Sequence, residues 1–167
     1  MVILISGTDK QLGILKSVLR ERVSFDWYTY DFIPKQVLEW LDISSRECDL
    51  TIEDKRLLKE MTESFEKHSD ICFRDCLSVI KNYQEESTAK YLFIAVPNQK
   101  IQKFKNVDAL KVNVILDTNL VSGSLKHEKH SLYDYALYNA HDKKTMGRKV
   151  SEFLRYCEKW ELEHEGN

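Results

Sequence analysis

Two short, unbroken apolar runs constrain this chain more than any other feature. They are Val2-Ile3-Leu4-Ile5, ending at Ser6-Gly7, and Tyr91-Leu92-Phe93-Ile94-Ala95-Val96, stopped by Pro97-Asn98. A strand with one face in water alternates apolar and polar residues. A strand without alternation is covered on both faces, which is the condition of a parallel sheet whose crossover helices lie on either side. Residues 111–116 predict a further strand, with Val112, Val114 and Leu116 alternating against Asn113. Residues 25–30, rich in aromatics, and residues 133–138 predict two more.

Helical periodicity fills the spaces between these strands. Leu12, Leu15, Val18 and Leu19 form one apolar stripe, and Pro34 opens a helix carrying Val37, Leu38 and Leu41. Thr51 with Asp54 reads as a capping box for a helix bearing Leu57, Leu58, Met61 and Phe65. Ser69-Asp70 offers caps for the next helix, with Cys72, Phe73, Cys76, Val79, Ile80 and Tyr83 at helical spacing and a short link near His68. Met146, Val150, Phe153, Leu154 and Cys157 mark a terminal amphipathic helix, and an acidic end follows at residues 161–165. Strands alternating with helices give an α/β fold with a mostly parallel sheet of about five strands. Its ligands are expected beyond the carboxyl ends of the strands, near Gly7, Pro97 and Asp117.

The order of these segments resembles the deoxynucleoside monophosphate kinases of bacteriophages and bacteria, relatives of phosphomevalonate kinase. Ile3-Leu4-Ile5-Ser6-Gly7 is similar to the family's first strand and the entry to its phosphate loop. Asp31-Phe32-Ile33-Pro34-Lys35-Gln36-Val37-Leu38 is similar to the segment where a lysine opens the second helix. Residues 57–65 with Asp70-Ile71-Cys72-Phe73-Arg74 resemble the paired helices whose aromatic and basic residues face the substrate. Ile94-Ala95-Val96-Pro97-Asn98-Gln99 is similar to a Pro-Asn-Glu strand end, and Leu132-Tyr133-Asp134-Tyr135-Ala136-Leu137-Tyr138-Asn139 to a late aromatic-Asp element. The resemblance implies a three-layer phosphate-loop kinase-like fold over residues 1–160 as a single domain, with 161–167 an acidic tail. It also implies Lys35, Arg74 and Asp134 as substrate-side residues.

The phosphate loop itself departs from the pattern. Such a loop reads G-x-x-x-x-G-K-[ST], because backbone amides cradle phosphate, the lysine reaches the terminal phosphates and the hydroxyl holds magnesium. Gly7, Thr8, Asp9, Lys10, Gln11, Leu12 and Gly13 are the remnant, and counting from Gly7 places Leu12, Gly13 and Ile14 where glycine, lysine and hydroxyl belong. Lys10 is the better stand-in cation, since Lys16 starts about 4–5 Å further down the helix axis than the motif requires. Both also read as ordinary solvated lysines. Phe93 and Ala95 occupy the places of the family's aspartate and arginine. Because phosphoryl transfer rests on positioning and charge stabilisation, these losses lead to the expectation of a catalytically impaired protein that acts by binding, inhibition or regulation. Its partner is then a protein, or a nucleotide held without turnover. The alternative is an active kinase using ATP and Mg2+, with Lys10 or Lys16 on the phosphates and Arg74 on the acceptor.

Other groups admit more than one role. Arg74 can meet a phosphate or pair with Asp70, and Lys35 can be a surface residue. Asp134 can polarise a ligand or make structural hydrogen bonds. The cysteines Cys48, Cys72, Cys76 and Cys157 read as small buried hydrophobes with free thiols. His127, His130 and His141 surround a polar loop without a complete set of metal ligands, so no metal is expected. Phe25, Trp27, Tyr28, Tyr30, Phe32 and Trp40 read as core in preference to a stacking platform, while Trp160 reads as an exposed anchor. Net charge is -2, which gives no support for nucleic-acid binding. The apolar runs are too short to cross a bilayer and the first residues do not read as a signal peptide, so a cytoplasmic location is expected, the host cytoplasm for a phage protein.

Overall fold

The computed structural model describes residues 1–30, 50–115, 123–124, 132–138 and 142–164. The expectations for residues 31–41, including Lys35, for Cys48, for Asp117 and for His127, His130 and His141 lie outside the described residues. The chain forms two compact units, one of Met1–Tyr28 with Glu86–Asn167 and one of Thr29–Glu85.

The first unit carries the sheet. β1 (Val2–Ser6), β2 (Phe25–Thr29), β3 (Tyr91–Ala95), β4 (Leu110–Ile115), β5 (Gly123–Ser124) and β6 (Tyr135–Tyr138) lie side by side in the order β2-β3-β1-β4-β6-β5. The β3–β1, β1–β4 and β4–β6 ladders are parallel, and β5 adds a two-residue antiparallel edge. The α/β fold with a mostly parallel sheet of about five strands is therefore present. β5, at residues read as loop from the sequence, is the addition.

Every residue of β1 and β3 is buried, as their unbroken apolar character requires. Ile3, Ile5, Phe93, Val112, Val114, Tyr135 and Leu137 form one core with α1 (Asp9–Leu19), through Leu15, Val18 and Leu19. The terminal helix, which runs from Lys143 to His164, adds Met146, Val150, Phe153 and Cys157 to the same core. The alternate residues Leu4, Leu92 and Ile94 are buried too, as are Ile101 and Phe104 of a short 3-10 helix, Asn98–Phe104. Both sheet faces are thus covered, as helix–sheet–helix layering demands.

The amino end of this unit is pinned. The Met1 ammonium donates to the Lys90 carbonyl at 3.0 Å and lies 3.5 Å from Glu161. Glu161 to His164, read as a solvated acidic end, belong to the terminal helix. Trp160 is not the exposed anchor expected: it is half-buried against the core and stacks on His164 at 4.0 Å. The reason is its phase, three residues after Cys157 on the inward stripe. Phe25 and Trp27 also pack on the core, with Trp27 stacked on Phe93 at 5.8 Å.

In the second unit α2 (Ile52–Ser69) and α3 (Ile71–Glu86) follow one another across a single residue, Asp70. The capping box is formed: the Thr51 amide donates to Asp54 Oδ2 at 2.8 Å and the Asp54 amide to Thr51 Oγ1 at 3.1 Å. Bonds from the Thr51 hydroxyl and amide hold the Asp54 carboxyl below its ordinary value. Asp70 takes a left-handed conformation, φ 49°, ending α2, and its carbonyl accepts the first bond of α3 from the Arg74 amide at 3.0 Å. Asp is one of the few side chains that tolerates this region. Ser69, expected as a cap for α3, instead donates its hydroxyl back to the Phe65 carbonyl at 2.7 Å. Cys72, Cys76 and Ile80 are the buried residues of α3.

Cys72, Cys76 and Cys157 are buried and outside any disulfide, as the periodicity implied. Burial pushes the Cys157 thiol well above its ordinary range. Since the thiolate is the reactive form, all three are expected to resist an aromatic disulfide reagent in the native chain and to react once it is denatured. Peptide mapping that found any of them modified without denaturant would contradict this burial.

Candidate functional site

The strand order places the site. The connection leaving β1 leads to β2, on the far side of β3, whereas the one leaving β3 leads to β4, on the far side of β1. Divergent connections open a crevice beyond the carboxyl ends of two neighbouring strands, the position where α/β sheets bind ligands. Here that position is bounded by Ser6-Gly7 and by Val96-Pro97-Asn98.

At its rim the chain's own groups hydrogen-bond to one another. The buried Ser6 hydroxyl donates to the Val96 carbonyl at 2.6 Å, fastening the ends of β1 and β3 together. The Tyr133 phenol donates to Asn98 Oδ1 at 2.6 Å. Burial pushes that phenol up, and a hydrogen bond with Ser6 partly offsets the effect. Sequence reasoning treated Ser6, Asn98 and Tyr133 only as family-like positions. The available signal was a serine closing an otherwise apolar buried strand, because such a hydroxyl needs a partner.

The phosphate-loop remnant is not a loop. Only Gly7 and Thr8 separate β1 from α1, and Asp9, Lys10, Gln11, Leu12 and Gly13 are its first residues. A cradle for phosphate needs several free amides curving around the anion. In this chain Thr8 is the N-cap of a closed capping box. The Thr8 amide donates to Gln11 Oε1 at 2.9 Å, and the Gln11 amide to Thr8 Oγ1 at 3.4 Å. Gln11 is buried, which is unusual for its type and follows from this role. Asp9 adds a carboxylate to the first turn, where it satisfies the helix dipole and repels an incoming anion.

Space is limited as well. A Cβ at Gly7 would stand 3.1 Å from the Val114 Cβ and 3.3 Å from the Leu12 Cδ2, so both side chains close over the turn. At Gly13, on α1, a Cβ would meet nothing within 4 Å. The residues present do not fit a magnesium-bound triphosphate: lysine and hydroxyl are missing, the Thr8 and Gln11 amides are committed, and Phe93 and Ala95 are buried in the strand. Among the described residues, no group of three or more His, Cys, Asp or Glu side chains could hold a metal ion.

Of the remaining expected residues, Lys16 and Asp134 are engaged away from this crevice. Lys10 is exposed on α1, and Lys16 lies over the Trp27 ring with its Nζ 5.2 Å from the centroid. Arg74 is exposed on α3 in the second unit. Asp134 sits just before β6, level with Lys111, whereas Gly7 lies just beyond the end of β1. By the register, that is three residues, or about 10 Å, back along the strands. Its Oδ2 accepts from the Lys111 amide at 2.8 Å and its own amide donates to the Lys111 carbonyl at 2.8 Å. Of the two roles open to Asp134, the structural one is in place.

No family model matches this chain, and no curated protein matches it. No helix among the described residues is long and apolar enough to cross a membrane.

Two sets of variants test these assignments. Thr8→Ala and Gln11→Ala should each destabilise the chain by about 1 kcal/mol, and the double variant by clearly less than the sum, since both act on one box. Additive losses in denaturant unfolding would show that the box is not formed. Asp134→Ala should cost about 1–2 kcal/mol by stranding the Lys111 amide, while Asp134→Asn retains an acceptor and should cost less. Unchanged stability in Asp134→Ala would return Asp134 to the ligand-facing role.

Proposed function

We propose that this chain is a nucleoside monophosphate kinase-like protein, of the phage group it resembles, that does not transfer phosphoryl groups and acts by binding, as an inhibitory or regulatory protein. The observation that carries the reading is the junction of β1 and α1. The helix begins two residues after the strand, and its capping box occupies the Thr8 and Gln11 amides that a triphosphate would use.

Three further points support it. Lys16 is drawn to Trp27, away from the crevice, and Lys10, in the first turn of α1, is exposed. Ser6, Asn98 and Tyr133 hydrogen-bond within the protein where a substrate would otherwise be met. The described part of the first unit keeps its buried sheet intact, so the fold survives without the catalytic groups. A partner protein, or a nucleotide held without turnover, is the interaction this reading assigns.

A coupled assay with ATP, Mg2+ and a panel of deoxynucleoside monophosphates tests it. The expected rate equals the protein-free blank for every acceptor. A rate that scales with protein and is abolished by Lys10→Ala, Lys16→Ala or Arg74→Ala would overturn the reading and identify an active kinase.

A further inference from the structure

A second concavity lies at the edge strand β2, near the starts of β2 and β3, whereas the crevice lies beyond the ends of β1 and β3. It is a cleft of about 360 Å³ lined by Lys16, Arg20, Val23, Ser24, Phe25 and Trp27. These residues come from the end of α1 and its cap, the link that follows and the start of β2, all in the first unit. The volume is at the low end of the roughly 300–1,000 Å³ that small-molecule sites occupy.

The charges around it are unequal. Glu21, the nearest carboxylate to Arg20 in sequence, pairs with Lys143 at 2.6 Å. Asp26, whose Oδ2 accepts from the Ser87 hydroxyl at 2.6 Å, keeps its charge but alternates to the opposite face of β2 from Phe25 and Trp27. Among the described residues neither Lys16 nor Arg20 has a carboxylate partner. One helical turn separates them, so their head groups project from the same side of α1. A helix carboxyl end carries partial negative charge of about half an electron, which two full cations exceed.

The aromatic wall is fixed. Trp27 is half-buried, stacked on Phe93 at 5.8 Å and edge-on to Phe25 at 6.3 Å. The Lys16 ammonium stands 5.2 Å from its ring. An ammonium over a half-exposed ring gains only about 0.5–1 kcal/mol, so a flat π-system can displace it. Once displaced, the lysine is free to join Arg20 on an anion.

We infer that this cleft binds a small anion carrying a flat ring, of the nucleoside monophosphate class, with the ring on Trp27 and the phosphate between Lys16 and Arg20. The inference does not rest on the kinase-like reading. Its site is remote from the β1–α1 junction, and binding here is read without any turnover.

Calorimetric titration of the full chain with adenosine monophosphate, adenosine and inorganic phosphate tests it, with the Trp27 indole proton followed by NMR. The monophosphate should bind and shift the Trp27 signal, while adenosine and phosphate alone bind at least about tenfold more weakly, a difference of about 1.4 kcal/mol. Lys16→Ala and Arg20→Ala, both surface changes, should each weaken binding several-fold, and Lys16→Arg should retain it. Unchanged affinity in the double alanine variant would overturn the inference, as would no binding at millimolar monophosphate. Affinity that climbs with the length of a single-stranded oligonucleotide would overturn it in favour of a nucleic-acid track.

Discussion

The hydrogen bonds between Thr8 and Gln11 determine what the rest of the first unit can do. They start α1 immediately after β1, and so fix how far the helix stands from the carboxyl end of the central strand. A longer connection would leave amides free to face a ligand. This one uses the Thr8 and Gln11 amides internally, and Leu12 and Val114 close over Gly7. The same short junction sets α1 against the sheet, where Leu15, Val18 and Leu19 meet Ile3, Ile5 and Phe93. The packing of α1 and the closure of the β1–α1 turn therefore have one origin.

The fold was largely legible because its signals are local and redundant. The unbroken runs at residues 2–5 and 91–96 are buried strands, and the inward stripe of the terminal helix falls on Met146, Val150, Phe153 and Cys157 as its spacing requires. The Thr51–Asp54 box could be read because both partners lie within one turn. Where the sequence misled, the deciding partner was distant or the local competition close. Ser69 could cap forwards or bond backwards, and only the left-handed Asp70 shows which. Trp160 lies among charged residues, which hid its inward phase.

The site was less legible for the same reason. That Leu12, Gly13 and Ile14 break the phosphate-loop pattern is visible in the letters, but the capping box formed at Thr8 and Gln11 was not anticipated. Its signal was present: Thr8 followed three residues later by Gln11, ahead of an apolar stripe. Reading Gly7 as the start of a loop concealed it. The meeting of Lys16 with Trp27, and of Tyr133 with Asn98, joins residues far apart in the chain, and no local pattern announces either. Asp134 was assigned two roles from sequence, and its bond to the Lys111 amide puts the structural one in place.

The central claim is that the first turn of α1 has no vacancy for phosphate. Amide NMR of the full chain, titrated with magnesium ATP, measures this directly at the backbone groups concerned. The account predicts that the Thr8, Asp9, Lys10 and Gln11 amide signals stay in place at millimolar nucleotide, whatever happens at Trp27. Saturable shifts of the Thr8 and Gln11 amides would mean that the box opens to admit the anion, and the account would be wrong.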